Sequence, residues 1–356
     1  MATAASHPNI KALNALRGLA AFLVLLTHLS TFTGYRVGPP GNGPLGVMLF
    51  FTLSGFLMGL LYLGQPATPR NIGAYAVARF SRIAPPYLIV VLISIVVYTL
   101  VDPGFPYAID SHNALRHLLF SGNVSVFWSI PPEVQFYALF IVLWWSVQRA
   151  TSGRGAGALI GLLALSAVAI SLRESVPGTF VGSKLHYFLM GSLLGWLYPR
   201  LRTVALSNLT LTLLQTALLV ALALFQASAF GLRSGNYWLD LTPVLICGLA
   251  VFAFSHDRTA IERALAARPF QWLGDWSFSI YLLHVPVLYV LQQAGLPQGS
   301  ALWTTVAVCA ALLVTGAFSM AIERPACVAT KRSLMALLKR LHRPARPAQL
   351  LGPADV

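Results

Sequence analysis

The chain has 356 residues, 57% of them hydrophobic and only 10% charged, with a formal net charge of +14. A soluble domain carries about 25% charged residues, so this composition excludes an ordinary soluble enzyme, and no polar segment is long enough for a second catalytic domain. The basic excess is not a nucleic-acid patch either, because the charges are distributed between apolar runs of about 20 residues, the length of a bilayer crossing.

The first residues, MATAASHPNIK, are polar and short, and no small-residue cleavage site follows the first apolar run, which predicts a retained helix and not a signal peptide. Ten spans are predicted, at 13–33, 45–63, 85–101, 133–148, 156–172, 183–199, 204–227, 237–255, 271–294 and 300–320. Breakers such as GPPGNGP, VDPGFP, SGRGAG and LPQGS separate them. In the longest loop, DSHNALRHLLF reads as a short surface helix. Ten crossings put both termini on one side. With that side cytoplasmic, it holds 19 of the 24 Lys and Arg, as the positive-inside rule requires. The predicted fold is therefore an all-α polytopic membrane bundle of ten transmembrane helices with both termini in the cytoplasm. Residues 1–330 form the membrane domain. Residues 331–356 form a basic amphipathic tail, with Leu334, Leu337, Leu338 and Leu341 on one face, predicted to lie along the membrane surface.

Ionisable residues inside a membrane span mark functional sites. Arg17 and His28 stand eleven residues apart in the first span. That is about 20° past three helical turns and a rise of roughly 16 Å, so one face carries both. A guanidinium at the cytoplasmic entrance suits a phosphate or carboxylate; an imidazole at mid-depth suits general-base work. The bland alternatives are an interfacial anchor and a hydrogen bond between helices. The pairs Gly55/Gly59 and Gly191/Gly195 read as close helix packing. Arg79 and Arg82, in ARFSRIAPPYL, are one turn apart and suit either a phosphate or membrane anchoring, with Pro85–Pro86 breaking the chain where the next crossing begins.

In FWSIPPEVQFYALF, on the external side, Glu133 opens the fourth span; a first-turn carboxylate there is also explained by the helix dipole. Ser277, Tyr281 and His284 share a face of the ninth span at i, i+4 and i+7. The cysteines Cys247, Cys309 and Cys327 have no paired spacing, so neither a disulfide framework nor a metal site is expected. HExxH, CxxC and Walker A motifs are absent, and GRGAGA follows a membrane helix where a dinucleotide fingerprint follows a strand.

Six segments in order resemble the acyltransferase-3 family of bacterial-type integral membrane acyltransferases, over about residues 12–326. They are LNALRGLAAFLVLLTHL with its Arg-x10-His, GVMLFFTLSGFLM, RFSRIAPPYL with its Arg-x-x-Arg, FWSIPPEVQFY, LGDWSFSIYLLHVPV and IERPA. The resemblance implies transfer of an acyl group, most often acetyl from acetyl-CoA, to a hydroxyl of a surface polysaccharide, a lipopolysaccharide or a small molecule such as a macrolide. It gives catalysis to His28 and Glu133, the acyl-CoA side to Arg17, Arg79 and Arg82, and acceptor binding or site shaping to Trp128 and Ser129; Tyr281 and His284, on their shared face of the ninth span, are read beside these as acceptor-binding or site-shaping residues. No bound cofactor is implied; acyl-CoA is a co-substrate, and the partners are a carbohydrate or glycolipid acceptor and membrane lipids. His28 is either a general base or a transient acyl carrier. The implied location is the bacterial inner membrane. Two departures stand out: Pro131–Pro132 precede Glu133, and Phe278 replaces a tyrosine common in the family. The soluble esterase-like domain fused to some members is not in these residues, so such a partner is expected to be separate or unnecessary. The rival class is a proton-coupled transporter or flippase with His28 and Glu133 as a relay, although no duplicated halves are visible.

Overall fold

The computed structural model describes residues 10–35, 43–203, 206–227, 241–295 and 297–341. Outside them lie the polar N-terminal residues, Arg36, Arg233, Arg343 and Arg346 of the charge count, most of GPPGNGP, the first residues of the seventh and eighth predicted spans, Leu296, and the tail beyond Leu341.

Among the described residues there is no strand. The helices are α1 (Lys11–Thr33), α2 (Gly43–Tyr62), α3 (Pro69–Val96), α4 (Ala114–Leu118), α5 (Ile130–Thr151), α6 (Gly157–Ser171), α7 (Leu185–Leu201), α8 (Asn208–Ala227), α9 (Thr242–Ala253), α10 (Ala260–Leu265), α11 (Arg268–Gln293), α12 (Ala301–Phe318) and α13 (Arg324–Leu341). Each predicted span falls on one of them. Among the described residues, six stretches are long and apolar enough to cross a membrane: Lys11–Thr33, Pro44–Tyr62, Pro69–Val101, Ser125–Thr151, Asn208–Phe225 and Ala301–Leu341. Large apolar side chains such as Leu92, Leu100, Leu165 and Leu313 point outward from the bundle, as they do where the surrounding solvent is lipid.

Close helix contact is set by glycine. A Cβ on Gly55 or Gly59 would lie 2.1 Å from the carbonyl oxygen of Phe188 or Ser192, and one on Gly191 or Gly195 would lie 2.1 Å from that of Thr52 or Phe56. The two pairs read from sequence thus interlock with each other and press α2 against α7. Gly18 and Gly274 do the same for α1 and α11, where a Cβ on Gly18 would stand 2.4 Å from the Gly274 nitrogen. In each pair residue numbers rise together along the contact, so the paired helices run parallel.

One expectation is corrected. Pro85 and Pro86 do not break the chain: α3 runs through both and continues as a π-helical turn over Val97–Val101. Pro86 has no N–H for the Arg82 carbonyl four residues earlier, and the Cys327 thiol of α13 donates to that carbonyl across 3.7 Å. A neighbouring helix thus supplies a donor that the proline removes. The described part of the tail, up to Leu341, is continuous with the helix that begins at Arg324. This helix, α13, packs along α3 with Leu338 against Gly73. Leu334 and Leu338 are half-buried there, while Leu337 and Leu341 remain exposed.

The loop after α3 folds back into the bundle. Tyr107, fully buried, donates its hydroxyl to the Leu282 carbonyl at 2.8 Å. The predicted surface helix is α4, whose Leu115 is exposed but whose His117 is buried.

Candidate active site

At the end of the bundle where α1 begins, a cleft of about 410 Å³ opens between α1, α3, α11 and α13. Its walls carry Arg17, Arg79, Arg82, Arg324 and Lys331 against Asp275 and Glu323. Sequence reasoning brought the first three together. It missed Arg324 and Lys331, which read locally as ordinary positive-inside charge.

Arg17 is fixed on three sides. Its Nε donates to Ser277 Oγ at 3.0 Å, and its Nη2 donates to Asn14 Oδ1 and to the Gly274 carbonyl, both at 2.9 Å. The last bond exists because the Gly18/Gly274 crossing brings the α11 backbone within reach. Asn14 in turn donates to Asp275 Oδ1 at 3.1 Å, and Arg324 bridges to the other Asp275 oxygen at 2.9 Å. The π-helical turn Ser319–Glu323 delivers Glu323, which accepts from Ser279 Oγ.

Arg79 lies between aromatic rings, its Cζ 5.9 Å from the Tyr62 centroid and 6.0 Å from that of Tyr137. Its buried Nε has no hydrogen-bond partner among the described residues. The same guanidinium lines a second, almost wholly apolar groove of about 300 Å³ between α3 and α5.

Glu133 follows Pro131–Pro132, which occupy the first turn of α5 where prolines fit without losing a hydrogen bond. Its Oε1 accepts from Tyr137 at 2.7 Å and from Ser54, midway along α2, at 3.1 Å. The carboxylate is thus set inside the bundle, and through the Tyr137 ring it adjoins Arg79.

Deeper along α1, His28 meets His284 of α11. Their rings lie 4.9 Å apart between centroids, with His284 Nε2 3.1 Å from His28 Nδ1. His284 is fully buried. One turn before it, Tyr281 donates to the Val126 carbonyl at 2.8 Å, and Ser129 Oγ lies 2.7 Å from the Tyr281 oxygen. Because the single Tyr281 proton goes to Val126, Ser129 donates to Tyr281; both hydroxyls are occupied with each other. The face predicted for Ser277, Tyr281 and His284 therefore makes three contacts at three depths: Arg17, Ser129 and His28. Trp128 is half-buried, with the Lys184 ammonium 5.9 Å over its ring. Lys184 is 5% exposed and was missed, since a lone lysine at the start of a span reads as an interfacial anchor.

The arrangement offers anion-binding charge at one end of α1, an imidazole pair partway along it, and a hydrogen-bonded carboxylate nearby on α5. Comparison with known proteins agrees in kind. The acyltransferase domain model of the acyltransferase-3 family matches residues 10–322. The peptidoglycan O-acetyltransferase OatA of Listeria monocytogenes is 26% identical over 320 residues, 80% of this chain and 50% of that protein. The putative peptidoglycan O-acetyltransferase YrhL of Bacillus subtilis is 27% identical over 82% of this chain and 51% of its own length. The exopolysaccharide production protein ExoZ of Rhizobium meliloti is 25% identical over 85% of this chain and 94% of its own. The chain thus spans about half the length of the two peptidoglycan relatives. No solved structure matches.

Proposed function

This chain belongs to the acyltransferase-3 family and is an integral membrane protein, and from that premise we propose that it moves an acyl group, acetyl first of all, from cytoplasmic acyl-CoA to a hydroxyl of a cell-envelope carbohydrate or glycolipid. The bacterial inner membrane is its place, with ten crossings and both termini in the cytoplasm. The observation that carries the reading is the α1 face itself, with Arg17 in the basic cleft and His28 roughly 16 Å further along the same helix. Phosphates of the donor dock on Arg17, Arg79 and Arg82, and the pantetheine arm extends toward His28. Guanidiniums suit this task because they present fixed, always-charged donor forks to phosphate oxygens.

Two routes use His28. As general base it takes the acceptor proton while the hydroxyl oxygen attacks the thioester carbon, and the CoA sulfur leaves and is protonated. As nucleophile it receives the acyl group with release of CoA, and the acceptor hydroxyl then displaces the imidazole. Glu133 assists by orienting the acceptor hydroxyl. Peptidoglycan and exopolysaccharide, after which the relatives are named, are the first acceptors to try. The transporter reading gains no support from any of these relatives.

Purified protein in nanodiscs is mixed with acetyl-CoA and with peptidoglycan fragments or exopolysaccharide oligosaccharides, and free CoA is measured. Wild type is expected to release CoA, while His28→Ala, folded by size-exclusion profile, is expected to lose at least about 100-fold. Arg17→Ala is expected to raise KM for acetyl-CoA. Neither release nor binding of acetyl-CoA in wild type, with every glycan tried, overturns the donor assignment.

A further inference from the structure

We infer that His284 is a positioning residue that locks the tautomer of His28, leaving His28 Nε2 as the only basic ring nitrogen of the pair turned outward from it; the inference deepens the acyl-transfer reading and rests on it.

The argument is one of hydrogen-bond polarity. A carbonyl oxygen only accepts. His284 Nδ1 lies 2.9 Å from the Ile280 carbonyl oxygen, so that nitrogen carries the proton and Nε2 is bare. His28 Nδ1 lies 3.0 Å from the Val24 carbonyl oxygen and 3.1 Å from the bare His284 Nε2. It too carries the proton, shared between two acceptors. Every other neutral arrangement aims a ring lone pair at a carbonyl oxygen at about hydrogen-bond distance, a repulsive contact that is costly beside the fully buried His284 and the part-buried His28. The chain of donors therefore runs in one direction, from His28 through His284 to the Ile280 carbonyl.

When His28 Nε2 takes up a proton or an acyl group, positive charge develops on its ring, and the Nδ1–H bond to His284 strengthens. A neutral imidazole thus stands where hydrolytic triads place a carboxylate. It orients the ring and accepts the bond without fixing a negative charge in the membrane interior, where an ion is costly.

Tautomers are read directly by ¹⁵N NMR of protein carrying ¹⁵N-histidine, with His28 and His284 assigned through His28→Ala and His284→Gln. The expected spectrum has both Nδ1 atoms protonated and both Nε2 atoms bare; a bare His28 Nδ1 overturns the inference. This measurement needs neither donor nor acceptor, so it stands apart from any failure of the acyl-transfer reading. Kinetics supply the second arm. His284→Gln keeps a carbonyl oxygen near the Nε2 position and is expected to hold kcat within about tenfold, whereas His284→Phe is expected to lose about 100-fold in kcat with KM for acetyl-CoA unchanged. In a His28→Ala background, His284→Phe is expected to cost nothing further. Equal losses in Gln and Phe variants, or a further loss in that background, overturn the positioning role.

Discussion

Glu262, in the connection between α9 and α11, shows how much one side chain can organise. Its carboxylate is fully buried and accepts the main-chain N–H groups of His256, Asp257, Arg258 and Thr259 at 2.8–3.0 Å. Asp257 adopts a left-handed φ of 55° to bring its N–H there. Burial alone raises a carboxyl, but the main-chain donors outweigh it and hold Glu262 below the ordinary glutamate range. Its folded pKa being depressed, the group contributes stability above the unfolded pKa, near pH 4, and that contribution is lost as pH falls through the folded value. Glu262→Gln points an NH₂ at donors and is expected to cost about 3 kcal/mol at pH 7. The gap from wild type is expected to close in acid, as measured by thermal unfolding in detergent. A gap constant down to pH 3 contradicts the ionic account.

The α2–α7 contact puts a single added carbon where a carbonyl oxygen already stands. A β-branched residue on Gly191 must push the helices apart along the whole contact, and two rows of packing are lost together. Gly191→Val is expected to lower the unfolding midpoint by more than about 10 °C or to prevent folding, because such losses exceed a few kcal/mol. Gly161, on α6, has nothing within 4 Å of an added Cβ, and Gly161→Ala is expected to leave the midpoint unchanged or raise it slightly. Both are read in the same thermal scan, and equal effects contradict the packing argument. These glycine pairs were legible in sequence because their four-residue spacing is a local property of a helix. So was the shared face of Arg17 and His28. Their partners were not: Ser277 and His284 lie 260 and 256 positions away, and nothing in either segment specifies the other. The Pro85–Pro86 break failed for the same reason, since the thiol that meets the freed Arg82 carbonyl comes from Cys327, 245 residues on.

At the scale of the whole molecule the open quantity is the number of crossings. Length and hydropathy mark six stretches and pass over α7 and α11. Yet α11, 26 residues long, runs parallel to α1 from the Gly18/Gly274 crossing through the histidine pair, and Gln298, in the connection that follows it, donates to the Phe32 carbonyl near the end of α1. A helix matched to α1 along that length must cross wherever α1 crosses. Its hydropathy is low because Gln271, Ser277, Ser279 and His284 face protein partners and not lipid. The same holds for α7 beside α2. Parallel pairing also fixes parity, since two parallel crossing helices are separated by an odd number of other crossings; ten crossings satisfy this for both pairs, with seven between α1 and α11 and three between α2 and α7. Counting only the six apolar stretches makes opposite assignments at two exposed positions. Single cysteines at Ser152, Glu174 and Ala264, in protein with Cys247→Ala, Cys309→Ala and Cys327→Ser, are challenged with an impermeant maleimide before and after permeabilisation. The serine at 327 keeps a donor for the Arg82 carbonyl. Ten crossings from a cytoplasmic N-terminus expect Glu174→Cys to react from outside and the other two only after permeabilisation. Six crossings expect Ala264→Cys alone to react from outside, and an inverted ten-helix bundle expects Ser152→Cys and Ala264→Cys together. The first pattern turns the basic cleft of Arg17, Arg79 and Arg82 toward the compartment that holds acyl-CoA and the inverted one turns it away, so the labelling tests the direction of the reaction as well as the topology.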